Sequence, residues 1–168
     1  GILSPNGRLE VDVRTVNVQQ LRWEVQRLYP NNVVPFLNGS WYRKWDSTSR
    51  TVTKGTLQCE GPRNEVLDHV LPLREHLENP IGIHRIELAD NDRNSWHRTS
   101  AMISITDLGL LYKAERDHHA VLIHSIASAQ PLPQVRVELR SDKNQVLAEG
   151  FTDQDGWVRL PKMPDHPD

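Results

Sequence analysis

The chain has 168 residues, a formal net charge of −2 and charges of both signs interspersed along its length. Its 37% of hydrophobic residues suit thin two-layer sandwiches better than a large enzyme with a deep cavity. No basic stripe with interleaved aromatics indicates nucleic-acid binding, and no apolar run is long enough to span a bilayer. The single cysteine, Cys59, excludes an internal disulfide and a paired-cysteine metal site.

Alternation of apolar and polar residues predicts the first strands. It begins at Leu9, and its phase shifts near Arg14, which predicts a bulge or a strand break there. Residues 21–26 alternate without interruption and should turn Trp23 toward the core. The segment Tyr29-Pro-Asn-Asn then ends this strand, because proline lacks an amide donor and asparagine favours turns.

The middle of the first half is less regular. Residues 38–63 are polar and punctuated by glycine, which indicates a long excursion carrying one weak strand over residues 50–57. A strand to about Val70 and a single helical turn over residues 73–77 fit the next apolar positions, since Pro72 interrupts a longer helix. Strands over residues 81–88 and 101–105 follow, with a turn cluster at residues 90–95 between them.

A junction between two β modules is predicted at Ser104-Ile-Thr-Asp-Leu-Gly-Leu110, where one alternating segment closes and another opens without a linker. Further strands are predicted over residues 120–126, 135–139 and 146–150 and from Trp157 onward. The expected domains are therefore residues 1–106, a complete β-sandwich, and residues 107–168, a partial one. The second is expected to be partial because a seven-stranded sandwich takes about 100 residues.

Several segments in this order resemble bacterial alpha-2-macroglobulins: Arg14-Thr-Val-Asn-Val18, residues 25–32, residues 80–85, residues 103–110 and residues 131–156. The resemblance implies an all-β fold of tandem fibronectin-type-III-like, macroglobulin-like antiparallel sandwiches. Two departures from the family pattern stand out. Gly82-Ile-His84 replaces a Gly-x-Tyr strand start, which puts a tyrosine-corner hydrogen bond in doubt, and Cys59-Glu-Gly-Pro62 lacks the Cys and Gln of the family's reactive thioester.

The function implied by the resemblance is that of a non-catalytic scaffold or interaction segment, without enzyme activity or cofactor. The parent protein would inhibit proteases by cleavage of a bait segment and conformational trapping. The implied partners are neighbouring domains of the same polypeptide, proteases reached through the full-length protein, and other cell-envelope proteins. The implied location is the periplasm, with the full-length protein anchored to the membrane as a lipoprotein.

Three motifs allow a sharper chemical interpretation but favour a structural one. Adjacent His118 and His119 would point to opposite faces of a strand, so one metal ion cannot readily take both together with Asp117. Asp153 and Asp155 precede Gly156 as in a calcium loop, but the later bidentate Glu is missing and a turn is favoured. Cys59 has no base placed beside it by sequence and is interpreted as a bystander thiol.

The predicted interaction surface consists of Trp41, Tyr42, Arg43 and Trp45, because Trp, Tyr and Arg dominate the energetic centres of protein interfaces. The alternative for the two tryptophans is that they cover the open end of the sandwich. Two other function classes also remain open. One is a surface adhesion or carbohydrate-binding module that would use sandwich-end loops, and the other is a transthyretin-like regulatory domain attached to an enzyme.

Overall fold

The computed structural model describes residues 1–39, 41–90 and 97–162, without the side chains of residues 41–44. The chain divides into two compact units, Gly1–Thr106 and Asp107–Asp168, between the two residues at which the sequence predicts the domain boundary. Neither helix in the described ranges has the length and apolarity that a bilayer crossing would need. The fold is all-β, as the alternating pattern predicts.

Unit 1 is a β-sandwich with a small helical cap. Its strands are β1 (Ile2–Leu3), β2 (Glu10–Val16), β3 (Gln20–Leu28), β4 (Ser49–Gln58), β5 (Val66–Pro72), β6 (Gly82–Asp90) and β7 (Arg98–Ile105). Helices α1 (Val33–Leu37) and α2 (Trp41–Thr48) lie between β3 and β4, and short 3-10 turns cover Pro30–Asn32 and Leu73–Glu75. One sheet has the order β1-β7-β6-β3-β4, and the other pairs β2 with β5.

The core of unit 1 lies between these two sheets. Strand β3 contributes Leu21, Trp23 and Val25, which alternate with polar residues and are buried as their period of two predicts. Leu71 of β5 joins the same cluster from the opposite sheet. The predicted strand to Val70 and the following helical turn are confirmed by β5 and the turn at Leu73–Glu75.

One local prediction is wrong. Strand β2 pairs with β5 in one continuous register from Glu10 to Val16, so there is no bulge or break at Arg14. The strand predicted over residues 50–57 is confirmed by β4, which pairs along the whole of β3, but the sequence did not predict helix α2 before it. The pattern of β4 is obscured because Gly55 lies under the Trp23 indole. A Cβ there would be 2.6 Å from Trp23 Cζ2, so the tryptophan supplies the apolar surface that β4 itself lacks.

His84, which stands where the family pattern has a tyrosine, is fully buried. His84 lies on β6, on the same face as buried Ile86, and among the described residues neither of its ring nitrogens has a partner with good hydrogen-bond geometry. Burial lowers the pKa of His84, and the charge of Arg27 on the neighbouring strand lowers it further. The imidazole is therefore held neutral in the core and does not replace a tyrosine-corner hydrogen bond.

Unit 2 has five strands within its described residues: β8 (Leu108–Ala114), β9 (His118–Ser125), β10 (Arg136–Arg140), β11 (Val146–Phe151) and β12 (Trp157–Pro161). One sheet has the order β12-β9-β8, and the other pairs β10 with β11. Val121, Ile123, Val158 and Leu160 form its buried core, with Val137 and Leu139 packed against them. The expectation that this sandwich is partial stays a prediction.

Candidate functional site

The junction between the units is short, and each of its two residues is bonded to its own unit. Strand β7 ends at Ile105 and β8 begins at Leu108. The Thr106 amide donates a hydrogen bond to the Leu3 carbonyl at 3.1 Å, and the Asp107 carbonyl accepts one from the Ile126 amide at 2.8 Å. The chain therefore passes from one unit to the next with almost no unanchored backbone.

The Asp107 side chain organises the turn that follows β9. Its carboxylate accepts a hydrogen bond from the Ser125 hydroxyl at 2.7 Å and another from the Ala127 amide at 2.9 Å. The Ser125 oxygen in turn accepts from the Ser128 amide at 3.1 Å. The pKa of Asp107 is lowered, chiefly by the Ser125 hydroxyl and then by the Ala127 amide, because both stabilise the carboxylate. The acidic residue of the junction motif thus has a structural task inside unit 2.

Residues 150–156, the second motif, form hydrogen bonds with the loop before β10 and within the turn before β12. The buried Thr152 hydroxyl donates to the Leu132 carbonyl at 2.6 Å and accepts from the Val135 amide at 2.9 Å. The Asp153 carboxylate accepts from the Asp155 and Trp157 amides at 3.0 and 2.9 Å. Gly156 has a φ of 76°, and a Cβ there would be 2.5 Å from the Ile123 carbonyl oxygen. The predicted turn is confirmed.

The predicted interaction surface is only partly described. Trp45 is 1% exposed and lies in a cluster with Leu28 and Phe36, with its ring centroid 5.0 Å from that of Phe36 in an edge-on arrangement. This corrects the assignment of Trp45 to the predicted interaction surface, because its buried indole packs α2 against Leu28 of the sheet and Phe36 of α1. The side chains of Trp41, Tyr42 and Arg43 lie outside the described part of the chain, and their role in a surface stays a prediction.

The adjacent residues His118 and His119 contact different partners. His118 Nδ1 lies 2.7 Å from Asp117 Oδ1, whereas His119 Nδ1 lies 2.8 Å from the Tyr112 hydroxyl. Hydrogen bonding to His118 is the main cause of the lowered pKa of Asp117. Within residues 1–39, 41–90 and 97–162, no group of three or more His, Cys, Asp or Glu side chains is placed to hold a metal ion.

Cys59 lies in the core of unit 1 beside a polar cleft. Its thiol is buried, donates weakly to the Leu57 carbonyl at 3.5 Å, and has a raised pKa because of that burial. The cleft has a volume of about 940 Å³ and is lined in part by Asn17, Glu60 and Asn64. The Asn17 side-chain amide donates a hydrogen bond to Asn64 Oδ1 at 3.0 Å, and Asn17 Oδ1 accepts one from the Asn64 backbone amide at 2.7 Å.

Sequence reasoning missed the open inner face of β8, where Leu110 and Tyr112 are largely exposed although their partners on β9 are buried. The alternation was visible, but it does not show whether a facing strand covers it. A signal was nevertheless present, because Leu108, Leu110, Leu111 and Tyr112 make this segment unusually apolar for an edge strand.

Comparison with known proteins matches part of the chain to one family model and nearly all of it to solved structures of one fold. Residues 105–166 match the model of the bacterial alpha-2-macroglobulin MG3 domain. No curated protein is similar enough to the chain to count as a match.

Solved structures cover nearly the whole chain. Native Escherichia coli alpha-2-macroglobulin spanning domains NIE-MG1 is 18% identical, with a TM-score of 0.71 over 90% of this chain and 78% of that one. The trypsin-activated Escherichia coli protein is 18% identical, with a TM-score of 0.75 over 96% of this chain and 12% of that one. Salmonella alpha-2-macroglobulin reacted with methylamine is 19% identical, with a TM-score of 0.60 over 91% and 9%. At these identities the structures establish the fold.

Proposed function

We propose, from the premise that this chain carries macroglobulin-like domains of the bacterial alpha-2-macroglobulin family, that it positions other domains of a protease-trapping protein. The observation that carries the proposal is coverage. The NIE-MG1 structure aligns with 90% of this chain, which is more than either unit alone, and residues 105–166 of the second unit and its junction match the family model. The chain spans about a tenth of the longer solved relatives, so inhibition would be a property of a larger polypeptide.

The role of this segment is mechanical rather than chemical. Each junction residue is fixed to its own unit by a backbone hydrogen bond, so the freedom to bend is confined to the few torsions near the bond between Thr106 and Asp107. A hinge of so few residues converts a local release, such as cleavage of a bait segment, into rotation of whole domains. We place the parent protein in the periplasm as a lipoprotein, on the basis of the family resemblance, and cell fractionation tests that location.

The experiment lengthens the hinge. A four-residue Gly-Ser insertion between Thr106 and Asp107 of the full-length protein should weaken protease trapping, because a flexible linker no longer transmits rotation. Trapping is measured as loss of protease activity on a large protein substrate with retention on a small peptide. The matched control places the same insertion in the exposed turn between Asp142 and Lys143.

The outcomes separate the proposal from general disruption. Weaker trapping by the junction variant alone supports it. Equal trapping by both insertion variants and the unmodified protein contradicts the mechanical role. If the unmodified protein is degraded without protecting large substrates, protease trapping itself is wrong. The adhesion alternative gains no support from Trp23 and Trp45, since both indoles are buried and neither offers an exposed aromatic shelf.

A further inference from the structure

One partly buried arginine of unit 1 has no opposite charge paired with it. Among the described arginines, only Arg27 and Arg85 are partly buried rather than exposed. The Arg85 guanidinium is paired with the Glu87 carboxylate at 2.5 Å, whereas no carboxylate of the described residues forms an ion pair with Arg27. Withdrawing a charge from water without a partner costs free energy, so the position of Arg27 favours binding of a negative group.

The strand register places Arg27 beside His84. The two residues are direct partners where β3 pairs with β6, near the end of β3 and the start of β6, so their side chains share a face of the sheet. His84 is fully buried, and its ring nitrogens have no partner with good hydrogen-bond geometry in the described part of the chain. Burial lowers the pKa of His84, and the charge of Arg27 lowers it further. The positive charge of Arg27 therefore acts on this imidazole without being offset.

The backbone at Gly82 leaves room for the guanidinium. Gly82 has a φ of 140°, and a Cβ there would be 3.1 Å from Arg27 Nε and 3.6 Å from Arg27 Cζ. A larger residue would press on the guanidinium and would be strained at this φ. The guanidinium is therefore held against the Gly82 backbone, where it stays partly exposed to solvent.

We propose that Arg27 is the anchor of a carboxylate-binding site at this end of unit 1. A guanidinium and a carboxylate are both planar and can form two parallel hydrogen bonds, with one charge of each sign. His84 is neutral and adds no second positive charge, so a singly charged anion fits the site better than a phosphate dianion does.

The carboxylate has two possible sources, an acidic side chain elsewhere in a longer polypeptide and a separate molecule. Both present the same chemistry to Arg27, and the experiment below distinguishes them. The inference does not rest on protease trapping, so either proposal can fail without the other.

The test adds sodium acetate to the 168-residue chain, with acetamide as an uncharged probe of the same shape. The His84 ring resonances, assigned by their loss in His84→Phe, are followed by NMR at constant ionic strength. They report on the site because a carboxylate on Arg27 would offset the charge that acts on this imidazole. Arg27→Gln removes the proposed anchor. Arg22→Gln is the matched control, since Arg22 is exposed on the opposite face of the same strand.

We expect a saturable shift of the His84 resonances with acetate and none with acetamide. Arg27→Gln should weaken acetate binding by at least about tenfold, because a charge-assisted pair is lost, whereas Arg22→Gln should change it by less than about twofold. The inference is overturned by equal shifts with acetate and acetamide, by equal binding to the two variants, or by tighter binding of inorganic phosphate than of acetate. A larger loss of unfolding free energy in Arg27→Gln than in Arg22→Gln also overturns it, since Arg27 would then already have a partner within the chain.

The source of the carboxylate is identified by phenylglyoxal modification of Arg27 and Arg22, measured by mass spectrometry in the 168-residue chain and in the longer polypeptide. Slowing of Arg27 modification alone in the longer polypeptide, by at least about tenfold, assigns the carboxylate to that polypeptide. Unchanged rates at both arginines assign it to a separate molecule. Acetate should slow modification of Arg27 in the 168-residue chain, and failure to do so overturns the inference.

Discussion

Replacing Thr152 by valine tests why the second motif of unit 2 requires a hydroxyl. Valine keeps the branched shape but removes an oxygen that donates to the Leu132 carbonyl and accepts from the Val135 amide. Leaving a buried donor or acceptor without a partner costs about 1–3 kcal/mol. The Leu132 carbonyl and the Val135 amide both lose their partner, so Thr152→Val should destabilise unit 2 by about 2–6 kcal/mol.

The assay is hydrogen exchange of the β9 and β12 amides in the whole chain, because it reports the opening free energy of unit 2 separately from unit 1. Thr152→Ser is the matched control. It keeps the hydroxyl and loses one methyl group, which should cost about 0.5–1.5 kcal/mol. If valine proves no more destabilising than serine, the two hydrogen bonds contribute little and the reasoning is refuted.

Three further predictions concern the helical cap, the buried histidine and the junction. Trp45→Ala should destabilise unit 1 by about 3–5 kcal/mol, because it empties a buried aromatic site, and amide exchange in α1 and β3 measures the loss. Because the pKa of His84 is lowered by folding, the unfolded chain binds the extra proton. The stability of unit 1 should therefore fall below about pH 6.5, by up to about 1.4 kcal/mol per pH unit, in denaturant titrations at several pH values. Asp107→Ala should speed exchange of the Ala127 amide. In the unmodified chain the Asp107 carboxylate should stabilise unit 2 above about pH 4, and this stabilisation should be lost as the pH falls through the lowered pKa of Asp107.

Each of these has an informative control. Asp46→Ala, at an exposed position of α2, should leave the cap intact, and an equal loss there would show that the Trp45 effect is not one of packing. His84→Phe should remove the acid-dependent slope, whereas persistence of the slope would assign it to other groups. Asp155→Ala, at an exposed turn position, should leave the Ala127 amide unaffected. Faster exchange in that variant too would mean that the turn after β9 does not depend on Asp107.

The sequence by itself determined the all-β class, most strands and the place where one unit gives way to the next. These features are local, because alternation of period two marks both a strand and the side chains that share its face. The turn at Asp153–Gly156 was equally visible, since its carboxylate and glycine act on backbone groups only a few residues away. The resemblance to bacterial alpha-2-macroglobulins also came from short ordered motifs and is confirmed by the match of residues 105–166.

Only the tertiary structure decided which faces are covered. Trp45 could not be assigned to a core or a surface until α2 was found packed against Phe36, and β4 looked weak until Trp23 was found lying over Gly55. Leu110 and Ile123 follow the same alternating pattern, yet one is open and the other buried. The physical reason is that a strand's own residues set the direction of each side chain, whereas burial depends on elements that are distant in the chain.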